Sequence, residues 1–230
     1  MKASIPYRLL KALPKMPYST DRARGNLCAI HFQPDQRDPA KSALAVATDG
    51  HSMAVIRFPG VVSEPGCITA DDALRLAKLC DLSVKDADVR RCFPVEINEL
   101  TANVITKARA INLRLDPYDG EFPNFRAVMP KPDELKPCNA RFDARLIAHA
   151  CHLFAAFAPA RAAPEFHAHG ALNDQAPAVF SLGNSEPGYD VYYLIMPMRY
   201  TCSVAEMTED YGSLRDAAGA KTTPPSAPSS

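Results

Sequence analysis

The sequence predicts an α+β protein that uses one β-α-β-β-β unit three times. Three observations carry this. First, Asp49-Gly50 separates two apolar runs, Ala43 to Ala47 and Ser52 to Phe58. Asp-Gly supplies the positive φ that a primed hairpin turn needs, so the runs read as paired antiparallel strands. Second, helical stretches begin near residues 6, 70 and 143, a recurrence of ~65–75 residues that marks a structural repeat. Third, short segments of strand character follow each of these helices.

The first unit opens on a helix from Ile5 to Leu13, where Leu9, Leu10 and Leu13 form an apolar stripe. Pro6 suits a first helical turn, and Pro14 and Pro17 end the helix. Asn26 to Gln33 reads as a strand, Pro34 to Ser42 as a polar loop, and the hairpin follows. In the second unit Gly66 to Thr69 is a short strand. Thr69 with Asp72 resembles a capping box for a helix from Asp71 to Cys80. Leu74, Ala77 and Leu79 or Cys80 are expected inward, and Arg75 and Lys78 outward. Phe93 to Asn98, Asn103 to Lys107 and Ala110 to Leu115 read as strands, with a turn at Glu99 to Ala102. Glu121-Phe122-Pro123-Asn124-Phe125-Arg126-Ala127-Val128-Met129-Pro130 is a proline-bounded aromatic link. In the third unit Asn139 to Phe142 is a strand, and Asp143 is an N-cap for a helix from Ala144 to about Phe157. Glu165 to Ala171, Ala178 to Leu182 and Tyr189 to Met196 close the unit. Ser203 to Ala217 reads as a short helix, and Thr222 to Ser230, rich in Pro and Ser, as disordered.

The 230 residues carry 26 basic and 26 acidic side chains. No global charge therefore draws the chain to nucleic acid, and DNA contact requires local patches. No apolar run is long enough to span a bilayer, and Met1 to Pro6 lacks the core of a secretion signal. A cytoplasmic location without membrane contact is expected. Seven cysteines, an odd number without CxxC spacing, read as reduced apolar side chains.

Histidines raise the question of chemistry. Asp49 with His51 fits a metal or acid–base pair, but equally a hydrogen-bonded turn, and the turn is the simpler reading. His167 and His169 alternate on one strand face, with no third ligand indicated. No nucleophile triad, P-loop or paired-carboxylate spacing is present, so neither catalysis nor a metal or cofactor is expected.

The order Thr48-Asp49-Gly50-His51, then Phe122-Pro123-Asn124-Phe125-Arg126, then Leu194-Ile195-Met196-Pro197-Met198-Arg199 resembles the bacterial DNA polymerase III β sliding clamp family. The resemblance implies a clamp-like fold in which antiparallel sheets form an outer surface and helices on one face turn toward DNA. Residues 1–130 correspond to the family's middle domain, 131–200 to the second half of its third domain, and 201–230 to an extension.

It also implies a processivity factor for DNA replication, with a pocket for peptide motifs of DNA polymerase or the clamp loader. Its walls would be Thr48, Gly50, His51, Met53, Pro123 and Val128 on one side. Leu146, Ala178, Leu194, Met196, Pro197, Met198 and Arg199 would form the other. Ser52 and Ala127 stand where the family usually has arginine, and an aromatic usual near Leu146 is absent. Arg8, Lys11, Lys15, Arg75, Lys78 and Arg145, with His149 and His152, would face double-stranded DNA through its phosphates. Three units per chain suggest a homo-oligomeric ring of four chains, and the alternative is a monomeric decoy that competes for clamp partners.

Overall fold

The computed structural model describes residues 1–83, 94–105, 110–130, 135–136, 142–158, 166–171, 177–183, 185 and 187–196. All of them belong to one compact unit, Met1–Pro197. The expected helix at 203–217 and the tail at 222–230 lie outside the described residues.

The first unit runs β1 (Lys2–Ile5), α1 (Tyr7–Ala12), β2 (Ala29–Pro34), β3 (Ser42–Thr48) and β4 (Ser52–Pro59). The second has β5 (Val61–Glu64), β6 (Gly66–Thr69), α2 (Ala70–Ser83), β7 (Val95–Asn98), β8 (Thr101–Ile105) and β9 (Ala110–Arg114). The third has β10 (Leu135–Lys136), α3 (Ala144–Ala155), β11 (Phe166–Ala171), β12 (Ala178–Leu182) and β13 (Asp190–Ile195). The α+β class and the threefold β-α-β-β-β plan are therefore present.

Several boundaries differ from expectation for local reasons. Ile5 ends β1 and does not start the helix, because a residue before proline is driven to extended backbone. Pro6 itself is extended (φ −66°, ψ 144°) and occupies the N-cap. Residues Arg22–Leu27 form a 3-10 segment whose Asp21 cap accepts from the Ala23 amide, so β2 starts only at Ala29. The expected turn at Glu99 to Ala102 is confined to Glu99-Leu100, with Glu99 at φ 54°, and Thr101 already belongs to β8. Leu74, expected inward, is 36% exposed, while Ala73, Leu76 and Ala77 are buried. The α2 stripe is thus shifted around the helix. Phe142 is not in a strand; residues 139–141 lie outside the described residues, and the unit's short first strand is β10.

Two antiparallel sheets result, ordered β5-β1-β7-β8-β9 and β10-β11-β12-β13-β4-β3-β2-β6. The larger sheet joins the first and third units through β4 and β13, which pair over six residues from Asp190↔Arg57 to Ile195↔Ser52. Strands β2, β3, β4 and β6 therefore share one sheet with β10 to β13. The helices gather on one side: α1 contacts α2, and α3 contacts the 3-10 turn Leu13–Lys15 that follows α1.

The period-2 geometry of strands sorts the side chains of this sheet into two cores. Ala54, Ile56 and Phe58 of β4 join Val191, Tyr193 and Ile195 of β13 in the main core with the helices. The intervening Met53, Val55 and Leu194 face the other way and form a second cluster with Val46, Val179 and Phe125. Phe125 comes from the link after β9, which covers this outer face.

An ion triad holds one end of the β4–β13 seam. Arg57 Nε donates to Asp35 Oδ2 at 2.7 Å, and Arg57 Nη1 pairs with Asp190. Burial opposes ionisation of Asp35, but the Arg37 amide, the Ser42 hydroxyl and Arg57 outweigh it and hold its carboxyl below the usual range. Stability from this shift is present above the unfolded value of 3.8 and is lost as pH falls through the lower folded value. Arg57→Ala leaves buried Asp35 without its countercharge and should cost about 3 kcal/mol in urea unfolding at neutral pH. The cost should shrink in acid as Asp35 protonates. At the other end of β4, Gly50 has φ +88°. A Cβ there would meet Leu27 and Arg24 only at 3.6–3.7 Å, so space is not the constraint. Gly50→Ala should destabilise by about 1–2 kcal/mol through left-handed backbone strain alone.

Candidate peptide-binding site

The Asp49–Ser52 turn is built by its own side chains. Asp49 Oδ1 accepts from the amides of His51 (2.8 Å) and Ser52 (2.7 Å). Thr48 Oγ1 donates to the Ser52 carbonyl at 2.7 Å and accepts from the Gly50 amide at 3.1 Å. These bonds close the reversal and leave His51 exposed at its tip. Asp49 thus holds the turn through the amides of His51 and Ser52. Among the described residues no group of three or more His, Cys, Asp or Glu is placed to hold a metal.

Beside this turn, on the outer face of the large sheet, lies an open cavity of about 250 Å³. Its lining is almost wholly apolar. Thr48, Gly50, His51 and Met53 come from the β3–β4 hairpin, Pro123 and Val128 from the link, and Leu194 and Met196 from the end of β13. These eight sequence candidates are brought together. The β4–β13 pairing does this, because Leu194 is registered directly against Met53. Val128 and Met196 remain 50% and 42% exposed, so apolar surface faces solvent at the rim.

Two candidates are not brought to the cavity. Ala178 points into the main core, since its neighbour Val179 takes the outer face. Leu146 sits on α3 and packs against the main core from the helical side. Pro197, Met198 and Arg199 lie outside the described residues. Leu27, Ser52, Asn124, Phe125 and Pro177 line the cavity without having been expected. Phe125 had a signal, the aromatic position of the link. Leu27 had none, because only the fold of the 3-10 segment carries it to Gly50. Ser52 is 3% exposed, and its hydroxyl donates to Asp49 at 3.2 Å.

On the helical side, the basic candidates differ in how they are held. Arg8 donates to the carbonyls of Ala156 (3.1 Å) and Ala158 (2.9 Å), closing the C-terminal end of α3. Arg75 pairs with the fully buried Asp72 at 2.7 Å, and Arg145 pairs with Asp143, the α3 cap. Lys11 lies 5.6 Å from the Tyr7 ring centroid. Lys15, Lys78 and His152 are exposed. His149 is half-buried, with Nδ1 3.1 Å from the Tyr193 hydroxyl. Burial lowers its basicity, as does His152, against the opposing pull of Asp49 and the Lys15 carbonyl. No helix among the described residues is long and apolar enough to cross a membrane.

No protein-family model and no curated protein matches the sequence. Solved structures do match. The Helicobacter pylori β clamp in complex with diflunisal superposes with TM-score 0.60 at 12% identity, covering 86% of this chain and 65% of that one. The same clamp bound to a DNA ligase peptide gives 0.58 at 13% identity, covering 86% and 65%. The sliding clamp of Bartonella birtlesii bound to griselimycin gives 0.55 at 17%, covering 86% and 66%. The chain thus spans just under two thirds of the clamp chains it matches. Superposition at TM-scores of 0.55–0.60 with so few shared side chains is a likeness of fold, and by it this chain has the fold of the bacterial DNA polymerase III β sliding clamp.

Proposed function

We propose that this protein is a non-enzymatic, clamp-like accessory factor of DNA replication. It binds short peptide motifs of DNA polymerase, the clamp loader or other DNA-acting enzymes in the cavity beside the Asp49–Ser52 turn. The observation that carries this reading is the apolar cavity itself, built across the β4–β13 seam with Met53, Leu194 and half-exposed Met196 and Val128. Thioether and aliphatic walls adapt to Leu or Phe anchors of an extended peptide. One structural neighbour carries a DNA ligase peptide, which gives the probe for the test. A fluorescent peptide of that kind should bind saturably, and Met196→Ala should weaken binding about tenfold by removing apolar contact at the rim. Absence of binding, or a Met196→Ala variant equal to the parent, overturns the pocket assignment.

The same reading makes duplex DNA a second, sequence-independent partner of the helical side, through Lys15, Lys78 and His152 first. Salt-sensitive phosphate contact is the expected mode. Because acids and bases balance over the whole chain, encirclement and not affinity would hold the protein on DNA. Strand β9 is an edge of the smaller sheet among the described residues, which supports head-to-tail assembly of chains into a ring. Retention on nicked circular plasmid, lost on linearisation, is the expected outcome, with an oligomeric mass by light scattering. A concentration-independent monomer that binds peptide but releases plasmid would instead mark a decoy for clamp partners.

A further inference from the structure

The link that walls the apolar cavity also walls a second one. This second cavity, open and of about 520 Å³, lies between the start of the link and strands β2 and β6. Pro123, Asn124 and Phe125 line both cavities, so the two share a wall one chain thick. Neighbouring extended chains lie ~5 Å apart, and a strand advances ~3.3 Å per residue. A peptide seated in the apolar cavity therefore crosses this wall in about two extended residues.

The chemistry of the second cavity differs from that of the first. His31 and Cys67 meet in it, both half-buried, with Nδ1 and Sγ 3.4 Å apart, and Phe122 stacks on the His31 ring. Burial holds His31 below its ordinary value of 6.5 and pushes the Cys67 thiol and the Tyr118 phenol up to about 12. These three groups are thus neutral in the physiological range. The formal charges on the lining are those of Glu121 and Arg126.

These two are not equivalent. Arg126 Nη1 donates to the side-chain oxygen of Gln36 at 2.8 Å, and its guanidinium carbon lies 5.8 Å from the centroid of Phe125, a residue of the shared wall. The guanidinium is therefore held in place, beside the path a crossing peptide takes. Its one hydrogen-bond partner is neutral, and among the described residues no carboxylate pairs with it. Most of its N–H fork, which suits a carboxylate, is left unused. Glu121 offers the opposite charge, but among the described residues no bond holds its side chain. Asn124, exposed on the wall between the cavities, offers its amide to a crossing backbone.

We propose that the second cavity is an acidic-residue subsite of the peptide site: a partner peptide anchored in the apolar cavity crosses the Pro123–Phe125 wall and sets an Asp or Glu side chain against Arg126, about two to four residues from its apolar anchor. This rests on the peptide-binding reading above and adds a specificity to it. The same guanidinium discriminates against Lys or Arg at that peptide position.

The test uses the full chain and variants of the DNA ligase-type peptide that carry Glu, Gln or Lys in turn at each of the four positions flanking the apolar anchor on either side. At one of these positions Glu should bind about fivefold more tightly than Gln at low salt, and by a smaller factor at high salt. Arg126→Gln should abolish that preference, and Arg126→Glu should reverse it in favour of Lys. Arg126 is exposed, so neither change threatens the fold. A second measurement places the contact. The amide resonances of Gly66 and Cys67, which line the second cavity and not the first, should shift with the Glu peptide and stay unmoved with a peptide cut back to its apolar anchor. If the peptides bind without a Glu preference, or keep it in Arg126→Glu, the subsite falls and the apolar cavity stands. A wild-type preference for Lys overturns the proposal in favour of Glu121 as the reader. A Glu preference that leaves the Gly66 and Cys67 amides unmoved overturns it too, because the charge is then read elsewhere. If no peptide binds, both readings fall.

Discussion

The pairing of β4 with β13 is the constraint on which the rest depends. Six registered residues join segments that lie more than a hundred positions apart in sequence. That pairing makes a single sheet out of two units and aligns Leu194 with Met53. It also places the last strand's end beside the Asp49–Ser52 turn, where the Met196 amide donates to the His51 carbonyl at 3.0 Å. Arg57 bridges the far end of the seam to both Asp35 and Asp190. A one-residue slip would send Tyr193 to the outer face and Leu194 to the helices, exchanging both cores at once.

The central sheet is apolar on both sides, and this is unusual for an antiparallel sheet, which commonly leaves one face to water. Here the helices cover one face and the proline-bounded link covers part of the other. Phe125 seals the outer cluster, and Phe122 stacks on His31 at 5.1 Å between ring centroids. The remaining uncovered portion is the cavity. Its apolar character thus follows from strand alternation plus an incomplete cover, with the rim residues Val128 and Met196 left in solvent.

The helical side follows a different logic. Asp72 shows it: Thr69 Oγ1 caps α2 by accepting the Asp72 amide, and the fully buried Asp72 carboxylate receives the Thr69 hydroxyl, the Asp116 amide and Arg75, tying that cap to the segment after β9. Arg8 performs the matching service at the C-terminal end of α3, where exposed carbonyls attract a cation. Arginines that seem alike in sequence are therefore unequal in the fold. The exposed lysines Lys15 and Lys78 carry positive charge outward with fewer local demands.

Local chemistry determined much of this protein in advance. The Asp49-Gly50 reversal, the Asp143 cap and the apolar runs of β3, β12 and β13 each act within a few residues, so each is legible in the chain. The resemblance of three short motifs, taken in order, also pointed to eight of the cavity's residues. Strands β1 and β5 were not legible in the chain: β1 runs directly into the proline that opens α1, and β5 is set apart from β4 by Gly60 alone. Other features were decided only by tertiary structure: that Ala178 faces the helices while Val179 faces the cavity, that Leu27 reaches Gly50, that Arg8 serves α3, and that Tyr193 links His149 to Ser52. Each of these depends on where a distant backbone lies, and the sequence records which side chains are available without recording which partner the folded chain will bring within reach.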